Sequence, residues 1–279
     1  MTLRQLLNDT STPVIAPLCL DPLMARMTQD AGFRAGYVSG GALGYSYAVS
    51  EALLTPTEIA DATRRITQRS SLPIIVDVGV GFGDPVHAVR GVWEMEQAGA
   101  CAIEIEDQVA PKRVSHHRGI EHLVPTEEMA AKITQVVAAR RSDLLIIART
   151  GAVKNESFSA AIERLQAYAA AGADVLMLMP AEDAQIGLAR QQLDKPLATI
   201  AAMDQAMQPK WQDSGWQLII DPFTAQVLAV QAVQQAYSAF AEHGGTGVPL
   251  QSLFATYGTL ASLAGLDDLY AIEDVTTEA

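Results

Sequence analysis

Short apolar runs rich in β-branched residues recur along the chain, and longer amphipathic stretches separate them. LPIIVDVGVGFG (72–83) and AIEIED (102–107) are two such runs, each closed by acid or glycine, and both predict buried strands. A weak repeat supports the same phase. QDAGFRAGYVSG, EQAGACAIEIED, AAAGADVLMLMP and QDSGWQLIID each read as a helix end, a glycine near its C-cap, then an apolar strand. The pattern predicts strands near 13–18, 36–39, 73–77, 102–106, 144–149, 174–179, 196–200 and 217–220. Helices are predicted near 22–32, 56–70, 85–99, 126–141, 158–171, 182–192, 203–213 and 222–241. Eight strand–helix units over about 240 residues match the size of an α/β (β/α)₈ TIM barrel, with a doubly wound sheet as the rival. No Pro-, Gly- or Ser-rich linker divides the chain, so residues 1–279 are expected to form one domain. The turn HGGTGVP (243–249) leads into a C-terminal helical extension, about 246–279. The stretch from Leu250 to Leu263 is too apolar for a solvated helix, so it must pack on its own barrel or on another subunit.

Composition narrows the partners. Hydrophobic residues make up 49% of the chain, enough for a large core, and the net charge is −13. Nucleic acid and anionic membrane surfaces are disfavoured, because phosphate binding needs clustered Lys and Arg. There is no N-terminal signal pattern and no long apolar run, which predicts a soluble cytoplasmic protein. Cys19 and Cys101 lie in apolar segments without metal-ligand spacing and read as buried thiols.

The candidate chemistry gathers where the predicted strands end. Side chains alternate along a strand, so Glu104 and Glu106 share one face while Ile103 and Ile105 share the other. With the isoleucines against helices, both glutamates point into the barrel mouth, and Asp77 joins them from the neighbouring strand. Three carboxylates so close resist ionisation unless a cation meets them. A hard divalent ion such as Mg²⁺ or Mn²⁺ would do so, and so would an ion network with Arg149 or Lys112. Asp107 ends the same run. The Ser39-Gly40-Gly41 turn offers backbone N–H groups to an anionic substrate group, and Arg149 ends a strand where its guanidinium can fork onto a carboxylate. The connection 108–124 is long for this fold and reads as a lid. It carries Lys112, Arg113, Ser115, His116, His117 and Arg118, a basic rim suited to a small anion.

YVSGG, PIIVDVGVGFG, AIEIEDQVAPKR…HHRG and LLIIARTGA together resemble the isocitrate lyase and phosphoenolpyruvate mutase superfamily, from about Leu18 to Leu269. The resemblance implies a (β/α)₈ barrel whose eighth helix is exchanged between subunits of a homodimer or homotetramer. It further implies Mg²⁺ and a 2-oxo or 2-hydroxy acid that reacts through an enolate. Ser39, Gly40, Gly41 and Arg149 would then bind substrate, and Asp77, Glu106 and Glu51 would hold the metal. Arg149, Lys112, Ser115 and His116 would be the catalytic set. Several positions depart from the family pattern. Gly79 replaces an acid of the metal shell, Val114 the catalytic Cys, and Gly151 an Asp, while Met179 and Ile200 stand where polar residues are usual. These changes make the pocket less polar and favour a substrate with an apolar arm over one with a second carboxylate. Three readings follow. The first is a Mg²⁺-dependent carbon–carbon lyase on a small carboxylic acid, and the second is carbon–phosphorus chemistry of the phosphonopyruvate type. The third is a barrel without turnover that binds a ligand.

Overall fold

The computed structural model describes residues 1–277. Eight strands appear in the expected order: β1 (Val14–Pro17), β2 (Gly36–Val38), β3 (Ile74–Asp77), β4 (Ala102–Glu106), β5 (Leu145–Arg149), β6 (Val175–Met177), β7 (Leu197–Ile200) and β8 (Leu218–Asp221). All pair in parallel, in the order β1-β8-β7-β6-β5-β4-β3-β2. A parallel bridge from Leu18 to Tyr37 joins the two ends of the sheet, and Cys19 N–H donates to the Tyr37 carbonyl (2.7 Å). The sheet therefore closes as a (β/α)₈ barrel, which has no free edges.

Alternation along the strands builds two cores. Ile103 and Ile105 face outward and join Val92, Met95, Met129 and Ile133 in the layer between sheet and helices. Val14, Ala16, Ile75, Ala102, Ile147, Val175, Met177, Ala198 and Ile220 fill the barrel interior. The helix Leu3–Asn8, absent from the sequence expectation, sends Leu3, Leu6 and Leu7 into that interior cluster. Each such aliphatic side chain contributes about 1.5–3 kcal/mol when fully buried. The interior is a packed plug, so a ligand has room only at the strand ends.

The helix starts follow a legible code. Asp21-Pro22, Thr55-Pro56 and Asp84-Pro85 each place an oxygen cap before a proline at the first helical position. Two expectations are corrected. The helix expected over 203–213 is broken into Met203–Ala206 and Pro209–Asp213, because Pro209 disfavours helical backbone at Gln208. The Ser39-Gly40-Gly41 stretch opens a helix, Gly40–Ser46, and is not a plain turn.

The chain divides into two compact units, Met1–Thr224 and Ala225–Ala279. The first is the barrel. Within the second, the helices Leu250–Leu263 and Leu266–Asp274 adjoin each other. No helix among the described residues is long and apolar enough to cross a membrane.

Candidate active site

The strand register sets the site. Asp77 pairs with Glu104 across β3 and β4, Glu106 with Arg149 across β4 and β5, and Arg149 with Met177 across β5 and β6. Asp77, Glu104 and Glu106 are buried with their strand ends. The expected convergence of three carboxylates is therefore present, and two cations enter it.

Arg149 Nη1 donates to Glu104 Oε1 (3.0 Å) and lies 3.6 Å from Glu106 Oε2. Tyr37 Oη donates to the other oxygen of Glu104 (2.5 Å). Lys112 comes from the long loop; its Nζ meets Glu51 Oε1 and lies 2.5 Å from Glu106 Oε1. His116 Nε2 is 2.7 Å from the same Glu51 oxygen. Glu51 itself sits on the short 3₁₀ turn Glu51–Leu53.

Burial and neighbours set the charge states. Burial pushes the Asp77 carboxyl up, Glu104 and Glu51 add to the push, and Lys112 only partly offsets it, leaving the group at about 7. Glu51 is also driven up by burial, but its hydrogen bond with His116 and the Lys112 ammonium win, bringing it to about 2. Glu106 is held low, because Lys112 and Arg149 outweigh its burial. The same acids keep Lys112 and Arg149 protonated against their own desolvation. A buried charge is tolerated when paired in this way.

The small-residue turn differs from expectation. Gly40 N–H donates to Asp77 Oδ2 (3.1 Å), and Ser39 Oγ accepts from Ala42 N–H (3.2 Å). Two amides of this helix start thus already serve the protein's own carboxylate and cap. A Cβ on Gly40 would come within 3.0 Å of Asp77 Oδ2, so glycine permits the approach. Ser115 lies half-buried on the 3₁₀ turn Val114–Arg118, which also carries His116 and His117. His117 turns away from the cup, its Nε2 2.8 Å from Ser50 Oγ and its Nδ1 3.1 Å from Tyr45 Oη. The loop is pinched at its base, where Val109 N–H donates to the His122 carbonyl and Val124 N–H to that of Asp107.

Asp107 does not join the cup. Strand alternation sends it to the opposite face from Glu106, where it accepts from Thr150 Oγ1 (2.6 Å) and Tyr168 Oη (2.8 Å), with Arg164 Nη1 at 3.4 Å. Sequence reasoning missed Tyr37 and Glu121. Tyr37 could have been found from its inward phase on β2. Glu121 lies in the long loop, 3.8 Å from Arg149 Nη2, and only folding brings the two together.

The donor set Asp77, Glu106 and Glu51 is chemically right for a hard dication. Glu106 Oε1 is buried and makes no properly oriented hydrogen bond despite the nearby ammonium, and Asp77 lacks a close cation. These residues therefore fit Mg²⁺ in kind. Among the described residues, however, no group of three or more Asp, Glu, His or Cys is disposed to hold an ion. Two features account for that: Lys112 stands between Glu51 and Glu106, and Gly79 contributes no side chain.

A sequence model of the family described as phosphoenolpyruvate phosphomutase matches residues 3–241. The chain belongs to this family. The expected membership of the isocitrate lyase and phosphoenolpyruvate mutase superfamily is thus borne out. Over 177 residues the chain is 43% identical to 2-methylisocitrate lyase of Aeropyrum pernix, a match spanning 63% of this chain and 56% of that protein. It is 37% identical to probable 2-methylisocitrate lyase 2 of Corynebacterium glutamicum, over 84% of this chain and 79% of the relative. A solved phosphonopyruvate hydrolase in complex with oxalate and Mg²⁺ superposes with a TM-score of 0.83 at 28% identity, covering 99% of this chain and 100% of that one. At the level of enzyme class, the expected carbon–carbon lyase of this superfamily agrees with these lyase relatives.

Proposed function

We propose that the protein cleaves a carbon–carbon bond in a small 2-oxo or 2-hydroxy carboxylic acid, with Mg²⁺, through an enolate. The observation that carries this reading is Arg149. Its guanidinium stands at the barrel mouth among Glu104, Glu106 and Glu121, and its Nε is buried without a hydrogen-bond partner. A buried, unsatisfied N–H on a permanent cation is a donor waiting for an anionic oxygen. Arg149 would bind the substrate carboxylate and stabilise the enolate oxygen as charge develops there. Asp77 and Glu106, with Glu51, would hold the metal, whose contribution when bound is to polarise the substrate carbonyl as a Lewis acid. Lys112 adds positive charge from the loop, Gly40 lines the pocket on the β2 side, and Ser39 and Gly41 flank it in the chain and would help to hold the substrate carboxylate. Ser115 and His116 ride on the loop and would approach the substrate with it.

The relatives named as 2-methylisocitrate lyases support carbon–carbon chemistry. The solved phosphonopyruvate hydrolase supports the second reading, carbon–phosphorus cleavage, for which Ser115 is the local motive. Exposed aromatic side chains in the second unit, among them Tyr237, Phe254 and Tyr257, support a homo-oligomer, since patches of this kind are normally covered. The test is a panel of 2-methylisocitrate, oxaloacetate and phosphonopyruvate assayed with Mg²⁺ for pyruvate release. Turnover of an organic acid that falls at least about 100-fold in Asp77→Ala and Glu106→Ala supports the reading. Full activity in both variants overturns it, and turnover of phosphonopyruvate alone favours the second. Calorimetry showing ligand binding with no turnover of any of the three would favour a binding protein.

A further inference from the structure

Enolate chemistry needs a group that hands a proton to carbon, and the carboxylates and imidazoles of the cup are already committed elsewhere. Val114 carries no acid. His116 is engaged at both ring nitrogens, by Glu51 and by the Arg113 carbonyl (2.7 Å). His117 is bound to Ser50 and Tyr45. Asp77 and Glu106 belong to the proposed metal shell, and Glu104 is fixed between Tyr37 and Arg149.

Glu121 meets this network only through a long contact with Arg149. Asn155 clamps it twice: Nδ2 donates to Glu121 Oε2 (2.9 Å), and Oδ1 accepts from Glu121 N–H (3.3 Å). The Asn155 amide is itself fixed by the Gly151 carbonyl (2.8 Å). Gly151 leaves the space that the carboxyl enters, for a Cβ there would lie 1.7 Å from Glu121 Oε2. The carboxyl lines a cavity of about 260 Å³ together with Thr150, Gly151 and Met179, at the end of the strand that supplies Arg149. Its separation from Arg149 Nη2, 3.8 Å, is the longest of the three ion contacts that guanidinium makes. Burial raises this carboxyl above its ordinary range, with Arg149 pulling the other way.

We propose that Glu121 is the catalytic proton donor and acceptor of this site, working on the substrate carbon next to the carboxylate anchor Arg149. The proposal rests on the enolate reading above. When the carbon–carbon bond of a 2-oxo acid breaks with loss of a carboxylate as CO₂, its electron pair remains with the enolate of pyruvate. The enolate carbon takes the proton of the Glu121 carboxyl, a C–H bond forms, and the carboxylate left behind recovers a proton from water. In reverse, the Glu121 carboxylate removes a proton from the methyl group of bound pyruvate, and the C–H pair moves into the enolate. Val114 then needs no thiol, because the acid has moved to the other side of the mouth.

The test uses pyruvate as probe in D₂O with Mg²⁺, following loss of the methyl signal by proton NMR, beside oxalate binding by calorimetry. Wild type is expected to exchange the methyl protons. Glu121→Gln should slow exchange by at least about 100-fold, the low end for general acid–base catalysis, and keep oxalate affinity within about threefold. Glu121→Asp should keep part of the exchange. Gly151→Ala, which displaces the carboxyl without removing it, should slow exchange as well. Thermal melts of the variants close to wild type exclude misfolding. Exchange by Glu121→Gln at the wild-type rate overturns the proposal, as does a parallel loss of oxalate affinity, which would make Glu121 a prop for Arg149. Wild type that binds oxalate yet leaves the methyl protons in place overturns this inference alone. Wild type that binds neither oxalate nor pyruvate overturns the enolate reading with it.

Discussion

The inward strand-end positions of β3, β4 and β5 hold Asp77, Glu104, Glu106 and Arg149, whereas those of β6 and β7 hold Met177 and Ile200, with Met179 two residues past Met177. Both arcs are built from parallel strand ends, so the difference between them is one of side-chain chemistry. On the charged arc Glu104, Glu106 and Arg149 each have a counter-ion within reach and only Asp77 lacks a close one; on the apolar arc the strand ends supply no charge at all. Lys210, which borders the cavity at Met179 and Ile200, is tied to Asp183 (2.8 Å). A ligand with one anionic end and one apolar end is oriented by such a mouth. A second carboxylate laid against Met179 and Ile200 would be desolvated without a partner, at a penalty of a few kcal/mol. On the proposed reading, the charged arc holds the reacting end of the acid, and the apolar arc selects which acid is accepted.

Removing the centre of the charged arc should have the largest effect. Arg149→Met leaves Glu104 and Glu106 short of a cation in a buried setting, where breaking such a pair lowers stability by about 3–5 kcal/mol. Chemical denaturation should show that loss, and oxalate binding should disappear. If instead stability is unchanged, the charged arc is not held by Arg149. The double variant Arg149→Met with Glu104→Gln should regain part of the stability without regaining oxalate binding.

A second comparison lies within one strand end. Glu106 and Asp107 are adjacent, yet alternation points the first into the mouth and the second into the helix layer. Tyr168→Phe removes one hydrogen bond to the buried Asp107 carboxylate and should lower stability by about 1.5–3 kcal/mol, the range for hydrogen bonds to charged groups. Oxalate affinity should not change, because Tyr168 touches nothing in the mouth. A fall in affinity would mean that the outward carboxylate tunes the inward one.

These contrasts bear on what the chain makes legible before folding. The alternation in AIEIE is local, so the inward glutamates and the outward isoleucines could be read directly, as could the eight strands. Asp107 follows the glutamates directly in the run, yet the same alternation that points Glu106 inward turns it outward. The pairing of Lys112 with Glu51 and of Glu121 with Arg149 joins residues 61 and 28 positions apart, through loops with no periodic pattern. Loop closure is decided by tertiary contacts, so the basic loop looked like a free rim while two of its cations, Lys112 and His116, were committed to Glu51. The break at Pro209 was visible in the sequence but was overridden by the helical pattern around it.

Lys112 offers a smaller and sharper test. Its ammonium lies where the carboxylates would face a dication. Lys112→Met removes that competitor and should tighten Mg²⁺ binding by about tenfold, equivalent to about 1.4 kcal/mol. Calorimetry with Mg²⁺ alone measures this directly. Weaker binding in the variant would show that the ammonium and the ion do not share a place.

Gly79 carries the smallest expected change and decides what the charged arc is charged for. Its φ is +54°, and a Cβ there would meet only the Lys112 Cδ at 3.8 Å, so there is room for a side chain but a left-handed backbone to satisfy. Asp tolerates that conformation better than most residues, and Gly79→Asp should lose no more than about 1 kcal/mol in the absence of metal. Its N–H already donates to Asp77 Oδ1 (2.8 Å), so the new carboxylate would start beside the most weakly neutralised acid of the cup. If the arc is built for a dication, the added oxygen donor should strengthen Mg²⁺ binding by about threefold, less than Lys112→Met because the ammonium still competes. Magnesium affinity that stays at the wild-type level would give the opposite answer. The three acids would then be matched to the two cations the chain itself provides, and Lys112 would be the lasting counter-ion of the charged arc.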